Sequence, residues 1–231
     1  MSETLTITTP DGAFSAYVAR PSAASAPAIV VIQEIFGVNK VMRDICDDLA
    51  AQGFVAVCPD LFWRIEPGID ITDQSEGEWK KAFELYNAFD VDAGVSDIAA
   101  TIAATRALPG VSGKVGAVGY CLGGLLAFLT AVRTDADASV SYYGVGTEKH
   151  VAEAEKLARP LLMHIAEEDQ FVPKEAQKVI LDALKDHPQI EIHTYPGRDH
   201  AFARVGGAHY DAADAGTANA RSLAFFKSNL G

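Results

Sequence analysis

Glycines frame one cysteine in the run Gly119-Tyr120-Cys121-Leu122-Gly123, with Gly124 next. The run follows a β-branched stretch, Lys114–Val118, and precedes helix-forming residues from Leu125 to Val132. A strand, a glycine-framed nucleophile and a helix make the G-x-S-x-G nucleophile elbow, here with sulfur in the serine position. The physics explains the glycines, since side chains at 119 and 123 would crowd a strained strand-to-helix turn. A helix that starts after Cys121 aims its N-terminus at the sulfur, where its dipole and free N–H groups favour thiolate and help bind an oxyanion. The competing reading is a small buried thiol in a glycine turn. The partners further along the chain favour the nucleophile.

A cysteine nucleophile needs a base, and the base needs an orienting group. In α/β hydrolases the chain order is nucleophile, acid, histidine. Asp169 follows an apolar strand, Pro160–Ile165, and opens Asp169-Gln170-Phe171-Val172-Pro173, which resembles the hydrolase D-x-x-V-P pattern. Glu167 and Glu168 stand beside it as solvated loop acids or rival orienters. His200 ends Gly197-Arg198-Asp199-His200, after the strand Ile190–Tyr195. Of the six histidines it alone sits in a late strand-end loop; His164 and His193 fall inside strands and read as core or sheet residues. Asp169 would hold the imidazole tautomer and His200 would exchange a proton with Cys121. No histidine pair has helical metal-ligand spacing, so no metal is expected.

A second loop, Gln33-Glu34-Ile35-Phe36-Gly37, follows the strand Ala28–Ile32. In α/β hydrolases this loop supplies an oxyanion-hole N–H, so the backbone N–H groups of Ile35 and Leu122 are the candidates. Glu34 is unusual there. It reads either as a surface acid or as a buried carboxylate beside the nucleophile, able to take the thiol's proton.

The elements that must position these groups alternate. Further short apolar runs at Phe54–Val57 and Ala138–Tyr143 suit strands buried on both faces. Helical spacing appears at Val41–Ala51, Val91–Leu108 and Pro173–Lys185, the last opening with proline. Alternation of this kind predicts an α/β fold: a mostly parallel central sheet with helices on both faces. Leu5–Thr8 and Ala13–Ala19, joined by Pro10-Asp11-Gly12, predict an antiparallel hairpin at the N-terminal edge. Leu61–Gly77 reads as an excursion from the core, and 1–231 as one domain.

The chain has 231 residues, 49% of them hydrophobic, enough for a sizeable core and too many for a disordered protein. A net charge of −12 with no Lys/Arg cluster excludes a nucleic-acid binder. No apolar run is long enough for a membrane span, and the N-terminus does not read as a signal peptide. Cys46, Cys58 and Cys121 are odd in number and widely spaced, which is no disulfide framework and suits a reducing cytoplasm.

These residues resemble the dienelactone hydrolase (carboxymethylenebutenolidase) family along nearly the whole chain. The matches include Gln33-Glu34-Ile35-Phe36-Gly37-Val38-Asn39, Tyr120-Cys121-Leu122-Gly123-Gly124, Tyr142-Tyr143-Gly144-Val145-Gly146 and His200-Ala201-Phe202-Ala203-Arg204. The resemblance implies an α/β-hydrolase fold, no cofactor, and a Cys-His-Asp triad on Cys121, His200 and Asp169. It also implies a resting thiol held toward Glu34, which takes the proton when substrate binds. The implied reaction opens a carboxylate-bearing dienelactone to maleylacetate. Arg204 matches one arginine that binds the substrate carboxylate. Trp79 stands where the second would be; Phe83 and Tyr86 match aromatic pocket residues, with Phe36 beside them, and Arg64 is a candidate to compensate for the lost arginine. The other readings are a general carboxylesterase or thioesterase on the same scaffold and an inactive small-molecule binder. A monomer is expected.

Overall fold

The turn at Pro10-Asp11 folds β1 (Ser2–Thr9) back against β2 (Gly12–Ala19), pairing Thr9 with Gly12 and Leu5 with Ala16. The computed structural model describes residues 2–231. Contacts within the chain gather into two compact units, Met1–Ala117 and Val118–Gly231.

In the first unit β2 also pairs antiparallel with β4 (Val55–Pro59), and β4 pairs parallel with β3 (Ala26–Ile32), setting Val30 against Val57. Every residue of β4 is buried, which is why the run is continuously apolar rather than alternating. Three helices complete the unit: α1 (Lys40–Ala51), α2 (Glu76–Ala88) and α3 (Val91–Arg106). Each begins at a side chain that accepts a backbone N–H, from Asn39, Ser75 and Asp90 respectively. At α2 the cap is reciprocal, because the Ser75 hydroxyl donates to Glu78 while accepting the Glu78 N–H. α3 buries Val95, Ile98, Ile102 and Thr105, one stripe at helical spacing.

The boundary between units falls inside β5 (Val111–Tyr120). The second unit continues with α4 (Leu122–Arg133), β6 (Ser139–Tyr142), β7 (Leu161–Ala166), α5 (Lys174–Leu184), β8 (Ile190–Tyr195) and α6 (Ala212–Leu230). β6, β7 and β8 pair in parallel, with Tyr142 opposite His164 and His164 opposite His193. The strand order is β1-β2-β4-β3-β5-β6-β7-β8, an eight-stranded, mostly parallel sheet with its antiparallel edge at the N-terminus.

The structure extends several expected elements. β5 starts at Val111, Pro173 caps α5 instead of opening its first turn, and α4 begins directly after Cys121. α6 has no counterpart in the sequence reading. Its buried stripe, Ala215, Ala218, Ser222, Phe226 and Leu230, holds small and polar residues where a large apolar pattern would have been visible.

Candidate active site

Cys121 stands between β5 and α4 with φ 59° and ψ −117°, a conformation rare for a residue with a side chain. Its N–H donates to the Tyr142 carbonyl at 3.1 Å, and its own carbonyl accepts from Gly124 and Val145. The turn closes only on glycine. A methyl at Gly119 would lie 1.8 Å from the Gly123 carbonyl oxygen, and one at Gly124 would lie 2.3 Å from the Tyr142 carbonyl oxygen. The N–H of Leu122 opens α4, where no carbonyl of the same helix can reach it. Only three non-glycine residues among those described have positive φ: Cys121, Tyr143 and Ala201. The first is the candidate nucleophile, the last directly follows His200, and the Tyr143 ring rests edge-on against His200 at 5.1 Å.

His200 and Asp169 meet from loops after β8 and β7. Nδ1 of His200 lies 2.9 Å and 3.1 Å from the two carboxylate oxygens of Asp169, and both side chains are almost fully buried, at 5% and 1% exposure. Asp169 Oδ1 also accepts the N–H groups of Phe171 and Val172, which fix the carboxylate to its own loop. Glu168 turns outward to Lys174 instead, so Asp169 is the acid that holds the histidine. Burial pushes the imidazole toward neutrality. Negative charge at the Cys121 sulfur, together with hydrogen bonding to Asp169 and to Cys121, outweighs it and raises the His200 pKa to about 10. Nε2 makes no hydrogen bond of regular geometry.

In the first unit Glu34 follows β3 and is 1% exposed, which removes the surface-acid reading. Its loop is tied down on both sides. Gln33 accepts the Leu61 N–H, Phe36 accepts the Ile71 N–H, and a methyl at Gly37 would meet the Ile69 carbonyl oxygen at 2.0 Å. Ile35 is buried in the same turn.

The dienelactone hydrolase family model matches residues 14–230. An Azospirillum brasilense protein, provisionally named a carboxymethylenebutenolidase, is 54% identical over 225 residues, covering 96% of each chain. The Pseudomonas putida carboxymethylenebutenolidase is 43% identical over 226 residues, covering 97% of this chain and 96% of its own. The chain belongs to the dienelactone hydrolase family. A Klebsiella pneumoniae structure, provisionally named a dienelactone hydrolase, superposes with a TM-score of 0.85 at 28% identity over 98% of both chains. With the family come the α/β-hydrolase fold and a reaction class, hydrolysis of a lactone or carboxylic ester.

Within the first unit Arg64, the candidate to compensate for the lost arginine, is already engaged by other side chains. Arg64 is not free to replace the lost arginine. Its guanidinium grips both oxygens of Asp97 at 2.8 and 2.9 Å, reaches Asp11 at 2.9 Å and lies over the Trp63 ring. A fork satisfied twice has no donor pair left for a substrate carboxylate. Trp79 donates its indole N–H to the Asp73 carbonyl, meets Phe36 edge-on and stacks on the partly exposed Phe83. Tyr86 lies half-buried later on the same helix, α2. Phe171 has no role legible in the sequence, yet its ring packs edge-on against His200 at 4.9 Å. An aromatic two residues after the candidate acid was the available signal. In the second unit Arg204 is half-buried in the loop after His200, and Arg198 pairs with Asp211 and Asp214 to anchor that loop to α6.

Among the described residues no helix is long and apolar enough to cross a membrane, and no group of three or more His, Cys, Asp or Glu is placed to hold a metal ion. All three cysteines are free thiols.

Proposed function

We propose that this hydrolase opens a carboxylate-bearing lactone, a dienelactone to maleylacetate, through a thioester on Cys121. The observation that carries the reading is the buried His200 imidazole, hydrogen-bonded to Asp169 at 2.9 Å, with a proton affinity that negative charge on the Cys121 sulfur raises. Glu34 takes the thiol proton on substrate binding, and its burial supports that role over a solvated one. The thiolate attacks the lactone carbonyl carbon, and the carbonyl electrons move to oxygen. The N–H groups of Leu122 and Ile35 receive that oxyanion, each worth about 10²–10³ in rate. Collapse re-forms the carbonyl, breaks the ring C–O bond and leaves an enolate with the acyl group on sulfur. Water then attacks the thioester, the neutral His200 imidazole takes the water's proton, and the thiolate departs, to be reprotonated from His200. Arg204 binds the substrate carboxylate, and Phe36, Trp79, Phe83 and Tyr86 form an apolar wall. A nucleophilic thiol suits a reducing compartment, so the reading places the enzyme in the cytoplasm.

The test is steady-state kinetics on cis- and trans-dienelactones beside neutral aryl esters, with intact mass measured on slow substrates. Cys121→Ala should lose at least about 10³-fold in kcat and form no adduct. Full activity in that variant would refute the thioester. Glu34→Gln should slow acylation, and unchanged kinetics would remove Glu34 from the scheme. A second reading, a broader carboxylesterase, is favoured by the tryptophan at position 79 and by the commitment of Arg64. A decisive preference for neutral esters would establish it.

A further inference from the structure

A second buried histidine lies in the same unit, outside the proposed chemistry. His164, on β7, is 1% exposed and connects two hydroxyl groups. Its Nδ1 is 2.8 Å from the Tyr195 hydroxyl and its Nε2 is 2.9 Å from the Ser222 hydroxyl. Ser222 continues to the Tyr142 hydroxyl at 2.7 Å, and Tyr142 donates to Asn219 Oδ1 at 2.9 Å. Arg221 donates to the Tyr195 oxygen at the other end.

The direction of every bond in this chain follows from its ends. Tyr142 has one proton and gives it to Asn219, so Ser222 must donate to the Tyr142 oxygen. Ser222 then accepts from His164 Nε2–H. Burial lowers the His164 pKa to about 3, so the ring is neutral and its Nδ1 is an acceptor. Tyr195 must therefore donate to Nδ1, which agrees with Arg221, a residue that can only donate, at its far side. The network is fully satisfied, with one tautomer and one polarity.

Its inner end is the floor of the elbow. The Tyr142 carbonyl accepts the Cys121 N–H, its ring stacks on Tyr120 at 4.7 Å, and there is no room for a methyl group between it and Gly124. The next residue, Tyr143, donates its N–H to the His164 carbonyl and carries the ring that supports His200. A displacement of Tyr142 therefore passes to Cys121 with no slack to absorb it.

We infer that His164 is a positioning residue for the hydrolytic reaction, holding Cys121 at its attacking angle through the Ser222–Tyr142 limb of the network. The inference rests on the proposed nucleophilic role of Cys121. The test measures kcat and KM on whichever dienelactone or aryl ester the wild-type protein turns over fastest, for His164→Phe, His164→Gln, His164→Asn and Ser222→Ala. His164→Phe should lower kcat about tenfold with KM changed less than about twofold, the scale expected for a small misalignment. Ser222→Ala, one oxygen smaller, should move kcat the same way by less, and it carries the test if the phenylalanine variant fails to fold. Gln places an N–H near the Nε2 position and should recover most of the loss. Asn reaches only the Nδ1 position and should not. Unchanged kcat in Ser222→Ala, a loss confined to KM, or equal recovery by Asn and Gln would each overturn the inference. Cys121→Ala, run in parallel, separates the two ideas: if it stays active the thioester reading fails, and if it is dead while the Ser222 and His164 variants match wild type only the positioning role fails.

Discussion

Asp97 in the first unit and Asp169 in the second are equally buried, each 1% exposed at the side chain, and each is gripped by a cation. Asp97 receives two guanidinium donors from Arg64 and the indole N–H of Trp63. Asp169 receives the His200 imidazole and two backbone N–H groups. The surroundings match in burial and in number of donors, and differ in whether the partner can give up its proton. Arg64 stays charged, its hold on the proton raised further by Asp97, so that pair is a lock. His200 holds its proton more tightly when the Cys121 sulfur is negative, so that pair can relax when the sulfur becomes neutral or acylated. A buried carboxylate serves structure or chemistry according to the titratability of its partner.

That contrast can be broken by experiment. The largest effect should come from Asp169→Asn, which lowers kcat about 10³-fold, because an amide N–H facing Nδ1 forces the wrong tautomer. A loss below about tenfold in steady-state assays would make Asp169 a structural acid like Asp97. Arg64→Met should leave kcat within about twofold and cost about 3 kcal/mol in urea unfolding, since it strands the Asp97 carboxylate without a counter-charge. A selective rise in KM for carboxylate-bearing substrates would instead restore Arg64 as a substrate ligand.

The pH dependence of stability sharpens the same point. The folded pKa of His200 lies above its unfolded value of 6.5, so the native state binds the extra proton. The resulting stability is fully present below pH 6.5 and is lost as pH rises toward about 10. The slope should approach about 1.4 kcal/mol per pH unit in that window, and should flatten in Cys121→Ala, where the opposing charge is gone. A slope that survives Cys121→Ala would assign the shift to Asp169 alone. The smallest effect should be Arg64→Lys, about 1 kcal/mol, because a point ammonium cannot span both oxygens of Asp97.

The elbow glycines, the order cysteine–aspartate–histidine and the alternation of strands and helices are local or linear properties, so they can be read from residue types. The hairpin at Pro10-Asp11-Gly12 is legible for the same reason, since turn chemistry is decided within a few residues. α6 is not, because its buried stripe is mostly small and polar. Nor is the fate of Arg64, whose partners Asp11 and Asp97 lie 53 residues before it and 33 after it.

What the amino-acid order determined by itself was the menu: which side chains can attack, exchange a proton or accept a hydrogen bond, and which strand each follows. Only the tertiary structure decided the pairings. It set Asp169 rather than Glu168 against His200, buried Glu34, locked Arg64 to Asp97, and connected His164 to the floor beneath Cys121. The reason is physical. Charge–charge and hydrogen-bond energies depend on separations of a few ångströms and on the local dielectric, and neither is set by distance along the chain.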